Sequence, residues 1–369
     1  MIVGIMSMQR VRNYGSFLQA FGLKKVIESM GHTVIFVDYK TEPSLVNEDT
    51  GKRNRNLALR IFKMLSPRYR VYRRKQIKLN DTFKNFCTAY DNNFLPKLGV
   101  GKEYVYTPEL DVLIIGSDEV FNCTQREKQV GYSLQLFGKD NQAKRLISYA
   151  ASFGNTTLKK LDRYRVCEEI TNALKQFDSI SVRDQNSLDI IRNLCGFKPE
   201  RHIDPVLLYN FLEVDDIDIS LKDYIIVYAY ADRIQEEEAT AIRKFAKKKG
   251  KKVLSLGFYQ PFCDEYVLAS PFETLAYVKN ADYIITDTFH GTVFSIKYQI
   301  PFATIIRESN QQKLSDLLSL FNLKERSVTD IKMLQSILEL PMKREEISRI
   351  LKNEKKRAKD YLKANLETY

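Results

Sequence analysis

The chain has 369 residues, of which 44% are apolar and 28% are charged. This length and balance predict a globular protein of two domains and exclude a largely disordered chain. No apolar run is long enough to span a bilayer, and the first residues, MIVGIMSM, lack the basic flank of a secretory signal, so we expect a cytoplasmic location. The five cysteines form no CxxC pair, which predicts reduced thiols and no zinc or disulfide framework.

The net charge of +12 is concentrated in one segment. Between Lys52 and Lys78 lie eleven basic residues and no acidic one, so the rest of the chain is close to neutral. Apolar residues alternate with these charges. The pattern is typical either of helices that pack on the domain through an apolar stripe or of a segment that contacts an anionic membrane surface. Nucleic acid is not an expected partner, because no nucleic-acid module signature is present.

The first half alternates short apolar runs with longer amphipathic ones, the pattern of an α/β domain. We predict strands at 1–6, 33–38, 111–115, 146–150 and 179–183, with helices at 16–30, 158–177 and 185–194. The basic segment is predicted as a helical insertion at 52–90. No GxGxxG motif follows the first strand, so no dinucleotide cofactor is expected.

The second half repeats the alternation. We predict strands at 224–230, 252–256, 283–286 and 301–306, with helices at 234–249, 271–279, 292–298 and 344–369. The expected organisation is an N-terminal domain at 1–209, a C-terminal domain at 210–340 and a C-terminal helix at 341–369. The fold class is therefore α/β, with two Rossmann-like domains that face a cleft, where ligands bind beyond the carboxyl ends of the strands.

Two candidate sites follow the first and third predicted strands. Asn13, Tyr14, Gly15 and Ser16 precede a helix, whose first amides can bind an anion, although Ser16 can equally be an ordinary N-cap. Ser117 and Asp118 follow the strand at 111–115. A carboxylate there can accept a hydrogen bond from a substrate hydroxyl or act as a base, and the alternative is again a helix N-cap.

Arg183 ends another predicted strand. Its planar guanidinium suits a carboxylate or phosphate, and the alternative is a structural ion pair, with Asp184 next to it in the sequence.

The strongest candidate is the turn from Thr286 to Thr292. It contains His290, one of only three histidines, and a histidine beside a bound anion can be a general acid. We expect the amides of Gly291 and Thr292 to point at the cleft, and Asp287 is a candidate to orient the imidazole. The alternative is a histidine that caps its own helix. The other two histidines, His32 and His202, are predicted to be structural.

At these positions the chain resembles the polysaccharide pyruvyl transferase family. Six motifs in the same order carry the resemblance, which covers residues 2 to about 325 but not the basic segment. They are NYGSFLQA at 13–20, GSDEVFN at 116–122, SYAASFG at 148–154, SVRD at 181–184, DP at 204–205, and TFHGT at 288–292 followed by PF at 301–302. Phe121, Asp184 and Val206 replace the usual tryptophan, glutamate and threonine of the family pattern.

The resemblance implies a GT-B-like pair of domains. It implies transfer of a pyruvyl group from phosphoenolpyruvate to two hydroxyls of a sugar, free or lipid-linked, in capsule or exopolysaccharide synthesis. His290 would be the key histidine and Arg183 an anion-binding residue. Some relatives have an arginine two residues before the histidine, where this chain has Thr288, so that contact would be missing or supplied by another residue.

From these residues we assign His290 as the acid and Asp118 as the base. The predicted substrate-binding residues are Asn13, Tyr14, Gly15, Ser117, Arg183, Thr288, Gly291 and Thr292. No metal or further cofactor is expected. Two alternatives stay open: a GT-B-type glycosyltransferase that uses a nucleotide sugar, and a non-catalytic carbohydrate-binding member of the family.

Overall fold

The computed structural model describes residues 1–46, 67–125 and 130–367, with the side chains of all of these except 67–78. The proposed membrane-binding segment between Lys52 and Lys78 therefore lies outside the described residues, apart from the backbone of the helix that begins at Pro67. Within the described part of the chain, no helix combines the length and the apolar character needed to cross a membrane.

Two six-stranded sheets form two lobes, and neighbouring strands within each sheet run parallel. The N-terminal lobe has the strand order β2-β1-β3-β4-β5-β6. Its strands are β1 Ile2–Met6, β2 Thr33–Phe36, β3 Leu110–Asp118, β4 Ala143–Ala151, β5 Ser181–Val182 and β6 Glu200–Arg201. Its helices are α1 Tyr14–Glu28, α2 Pro67–Asn93, α3 Leu95–Leu98, α4 Leu158–Arg163, α5 Cys167–Leu174 and α6 Gln185–Cys195.

The short helix α7, Pro205–Leu208, leads into the C-terminal lobe, whose strand order is β12-β11-β10-β7-β8-β9. Its strands are β7 Tyr224–Tyr228, β8 Lys252–Leu256, β9 Glu265–Val267, β10 Tyr283–Thr286, β11 Phe302–Ile305 and β12 Ser327–Val328. The remaining helices are α8 Glu236–Lys249, α9 Pro271–Lys279, α10 Phe289–Tyr298, α11 Gln311–Leu320, α12 Leu334–Glu339 and α13 Arg344–Leu366. The predicted domain boundary at 209–210 falls in the connection between the two sheets and stays a prediction.

The last helix returns to the N-terminal lobe. On α13, Tyr361 donates its hydroxyl proton to the carbonyl of Ser148, and Arg145 donates to the carbonyl of Asn365. Helix α1 makes a second connection, because Phe17 and Phe21 pack edge-on against Phe272 of α9, with ring centroids 5.8 and 5.0 Å apart. One apolar core therefore extends across both lobes, which holds the residues at the strand ends in a fixed relation.

The predicted single helix at 158–177 is wrong, because α4 and α5 divide this segment. Arg165 lies between them with φ = 57°, a left-handed conformation that cannot continue an α-helix. The short strands β9 and β12 and the helix α11 were not predicted.

Candidate active site

A cavity of about 380 Å³ lies between the lobes. Its walls come from the carboxyl ends of β1, β3, β5, β7 and β10, as expected for facing parallel sheets. Of the predicted site residues, the lining includes Asn13, Asp118, Arg183, Thr288 and His290. The sequence motifs thus meet at one place, although they are far apart along the chain.

His290 and Arg183 converge on one buried carboxylate, Asp204. Arg183 Nη1 lies 2.7 Å from Asp204 Oδ2, and His290 Nε2 lies 3.7 Å from the same oxygen. Nε2 is buried and has no hydrogen-bond partner among the described residues, so its contact with Asp204 is an ion-pair contact. An imidazole and a guanidinium from opposite lobes therefore share one negative charge.

The same contacts determine the charge of Asp204. Burial by itself would raise the pKa of this carboxyl, but the facing His290 and Arg183 outweigh it and lower the pKa to about 2. Asp204 is consequently a carboxylate at neutral pH, and it faces the imidazole of His290 with a full negative charge. Asp204 belongs to the DP motif, which by itself does not indicate that this carboxylate lies at the site.

Arg183 contacts three other residues of the site. Its side chain is only 5% exposed, lies 3.5 Å from Asp118 in addition to Asp204, and stacks on the ring of Phe289 at 4.2 Å. The alternative of a structural ion pair is confirmed, with Asp204 and Asp118 as the partners. The neighbouring Asp184 instead caps helix α6 by accepting from the amide of Ser187.

Asp118 ends β3 with φ = 83°, an uncommon conformation for a residue other than glycine. It accepts a hydrogen bond from the Ser16 hydroxyl at 2.8 Å, and neither residue is the N-cap of a described helix. The cap of α1 is Asn13, which accepts a hydrogen bond from the amide of Gly15.

Gly15 is required by His290. A Cβ atom on Gly15 would lie 2.1 Å from Nδ1 and 2.2 Å from Cγ of the imidazole, well inside van der Waals contact. The helix backbone at this position therefore forms the surface against which the imidazole ring packs.

We expect Gly15→Ala to displace the imidazole and to destabilise the protein by about 1–3 kcal/mol through overpacking. Because the clash is with the side chain of His290, the double variant Gly15→Ala/His290→Ala should be nearly as stable as His290→Ala alone. Urea unfolding of the three variants measures this. A loss of stability that persists in full in the double variant would mean that Gly15 is needed for another reason.

Four predicted ligand contacts are corrected by the structure. Tyr14 packs in the core between Phe86 and Tyr228, and the fully buried Ser117 donates to the side chain of Gln19. The amides of Gly291 and Thr292 do not point at the cleft, because they donate to the side chain and the carbonyl of Thr288. Thr288 itself is the N-cap of α10, which corrects the alternative that His290 is the cap.

Asp287 does not orient His290. It lies 2.9 Å from Nε of Arg233 and 3.8 Å from Nε of Arg307, and its burial raises its pKa although both arginines oppose this. Arg233 lines the cavity with 31% of its side chain exposed. Arg233 was not predicted, since it lies in a loop without a recognisable motif.

Lys313 of α11 is the second missed cation. It donates to Glu119 of the N-terminal lobe at 2.6 Å and lines the cavity with 20% of its side chain exposed. Burial would raise the pKa of Glu119, but Lys313 and Arg183 lower it to about 2, so the pair is charged and connects the two lobes.

The other two histidines lie away from the cavity lining. His202 is buried beside the rings of Tyr149 and Tyr361, and this burial lowers its pKa to about 4. Burial also lowers the pKa of His32.

Residues 13–309 match the sequence model of the family described as polysaccharide pyruvyl transferase. No curated protein matches the chain in sequence. Among solved structures, the chain is similar to UDP-GlcNAc 2-epimerase from Neisseria meningitidis bound to UDP-GlcNAc, with a TM-score of 0.52, 8% identity and 100% of each chain covered. A protein from Listeria monocytogenes, described as a UDP-N-acetylglucosamine 2-epimerase, has a TM-score of 0.51 and 10% identity over 100% of this chain and 96% of that one. At such identities the likeness shows the fold alone, a two-domain GT-B-like α/β fold.

Proposed function

The chain belongs to the polysaccharide pyruvyl transferase family, and we propose that it moves a pyruvyl group from phosphoenolpyruvate onto two hydroxyls of a sugar in the synthesis of a capsular or exported polysaccharide. The observation that carries the proposal is the convergence of His290 and Arg183 on Asp204 at the wall of the cavity. Family membership supports a transferase in polysaccharide pyruvylation, and the donor and the ketal product are the parts that need testing.

In the proposal, the cations that line the cavity bind the anionic groups of the donor. Phosphoenolpyruvate carries a phosphate and a carboxylate, so it needs cations that can leave their present partners. Arg183 is buried, and if it left its partners to bind the donor, the carboxylates of Asp118 and Asp204 would lose their counter-charge. Arg233 and Lys313 are more exposed and are each paired with a single close carboxylate, so we assign the anionic groups of the donor to them. Because Arg233 lies beside Asp287, next to Thr288, it can replace the arginine that some relatives carry at position 288.

The reaction requires a proton on the methylene carbon of the donor. In the proposal His290 gives this proton, which makes the adjacent carbon cationic and open to attack by a sugar hydroxyl. Asp118 accepts the proton of that hydroxyl. A second hydroxyl then displaces the phosphate, whose oxygens Arg233 and Lys313 stabilise, and its proton leaves with the phosphate. One donor and one diol thus give one cyclic ketal and one phosphate, and return of the proton from Asp118 to His290 through solvent restores both groups.

The test incubates the purified protein with phosphoenolpyruvate and lipid-linked sugars extracted from the source cells, and measures released phosphate and product mass. We expect phosphate only when both substrates are present, together with a sugar product that carries a pyruvate ketal. If nucleotide sugars but not phosphoenolpyruvate raise the melting temperature, the protein is a glycosyltransferase instead. Binding of the glycan without turnover of either donor would indicate a non-catalytic member of the family.

Contact with the inner face of the membrane is a separate part of the proposal, and it rests on the charge of the segment between Lys52 and Lys78. Each basic residue near an anionic surface contributes about 1 kcal/mol. In a flotation experiment we expect the protein to rise with anionic vesicles, and we expect a variant whose segment is neutralised to remain at the bottom of the gradient. Equal behaviour of the two would refute membrane contact and leave the proposed reaction unaffected.

A further inference from the structure

A second cavity, of about 690 Å³, lies in the N-terminal lobe beside the candidate active site. Met8 and Val11, in the loop after β1, line both cavities, so the two are neighbours across this loop. The proposed mechanism uses no residue of the second cavity. Its volume is within the usual range of ligand pockets.

The wall of the second cavity carries an exposed aromatic side chain that is held in place. Tyr104 is 56% exposed, and the guanidinium of Arg10 lies over its ring at 4.0 Å. Tyr106 stacks on Tyr104 with an angle of 10° between the rings. Exposed aromatic rings with few rotatable bonds are efficient binding surfaces, because little conformational entropy is lost when a ligand packs on them.

Two of the three cations in this wall are neutralised by its own carboxylates, and the third, Lys102, leaves the wall with one net positive charge. Arg10 forms a two-point ion pair with Asp38 and also donates to the carbonyls of Gly101 and Glu103. Arg12 forms a similar pair with Asp91. A phosphate or diphosphate would have to compete with these carboxylates, whereas a neutral ligand would not.

The uncharged part of the wall suits a sugar. Thr41, Thr88 and Asn92 contribute hydroxyl and amide groups, while Leu95 and Val100 contribute apolar surface. Sugars combine hydroxyls with apolar CH faces, so they match a wall in which polar groups alternate with an aromatic ring.

We propose that the second cavity binds further sugar units of the acceptor glycan. The reacting sugar lies near His290, and the units next to it pass the loop of Met8 and Val11 and contact Tyr104. This inference rests on the proposed function and adds an acceptor subsite to it. Tyr104 is then a residue that determines specificity for acceptor length and takes no part in the chemistry.

The test uses neutral oligosaccharides released from the lipid-linked sugars of the source cells, separated into a monosaccharide fraction and a fraction of three or more units. Titration calorimetry without phosphoenolpyruvate measures the binding of each fraction. We expect the wild type to bind the longer fraction about tenfold more tightly. Tyr104→Ala should remove this difference, while Tyr104→Phe, which keeps the ring, should retain it. Phe197→Ala, which removes an exposed ring outside both cavities, is the matched control.

The inference is overturned if the wild type binds both fractions equally or binds neither. It is also overturned if the ratio of the two affinities is unchanged in Tyr104→Ala. Phosphate release with the same acceptors is measured in parallel. If release depends on phosphoenolpyruvate while the ratio is unaffected by Tyr104, the proposed function holds and only the acceptor subsite fails. If the ratio behaves as expected without any release, the glycan site holds and the reaction fails.

Discussion

We expect His290→Ala to lower kcat for phosphoenolpyruvate-dependent phosphate release by roughly 10²–10⁴-fold, the usual contribution of a well-placed general acid. KM for the donor should change little, because the anionic groups are assigned to Arg233 and Lys313. The fold should persist, since Asp204 keeps its 2.7 Å contact with Arg183 when the imidazole is absent. Steady-state kinetics and circular dichroism measure the two effects.

His32→Ala is the matched control, because it removes a histidine that lies away from the cavity lining. It should retain wild-type kinetics. An unchanged kcat in His290→Ala would remove the histidine from its role as acid. A rise in KM at constant kcat would instead assign it to donor binding.

Arg183→Met should destabilise the protein by about 3–5 kcal/mol, because it leaves Asp118 and Asp204 buried without their shared counter-charge. This is a large part of the net stability of a typical protein. Urea unfolding should show a lower midpoint, and adding Asp204→Asn should recover part of the loss because one of the two unpaired charges is then removed.

Arg233→Met separates the structural role from ligand binding. Its side chain is more exposed than that of Arg183, so we expect a smaller loss of stability and a higher KM for phosphoenolpyruvate. If Arg183→Met kept its stability while KM for the donor rose, Arg183 would be the anion-binding residue, as the sequence first indicated.

The sequence predicted the alternating strands and helices well, because each buried parallel strand is a short apolar run and each helix has its own apolar period. The strands at 252–256 and 283–286 and the helix at 271–279 match β8, β10 and α9 residue for residue. The helix at 158–177 failed because its apolar pattern continues through Arg165, whose left-handed backbone leaves no signal in hydropathy.

The motifs also located the cavity, since the carboxyl ends of parallel strands meet at one edge of a sheet. They did not reveal which side chains pair with one another. Whether Arg183 pairs with its neighbour Asp184 or with Asp204, 21 positions away, depends on side-chain directions. Whether the amides after His290 are free depends on the Thr288 cap.

The sequence by itself therefore determined the fold class, the family and the group of loops that form the site, because these follow from hydropathy periods and local motifs. Only the tertiary structure decided that Gly15 supports His290, that Asp204 joins the two lobes, and that Arg233 and Lys313 are the more accessible cations. The physical reason is that these contacts join segments up to about 275 residues apart, and their geometry is set by how α1, α10 and α11 pack across one shared core.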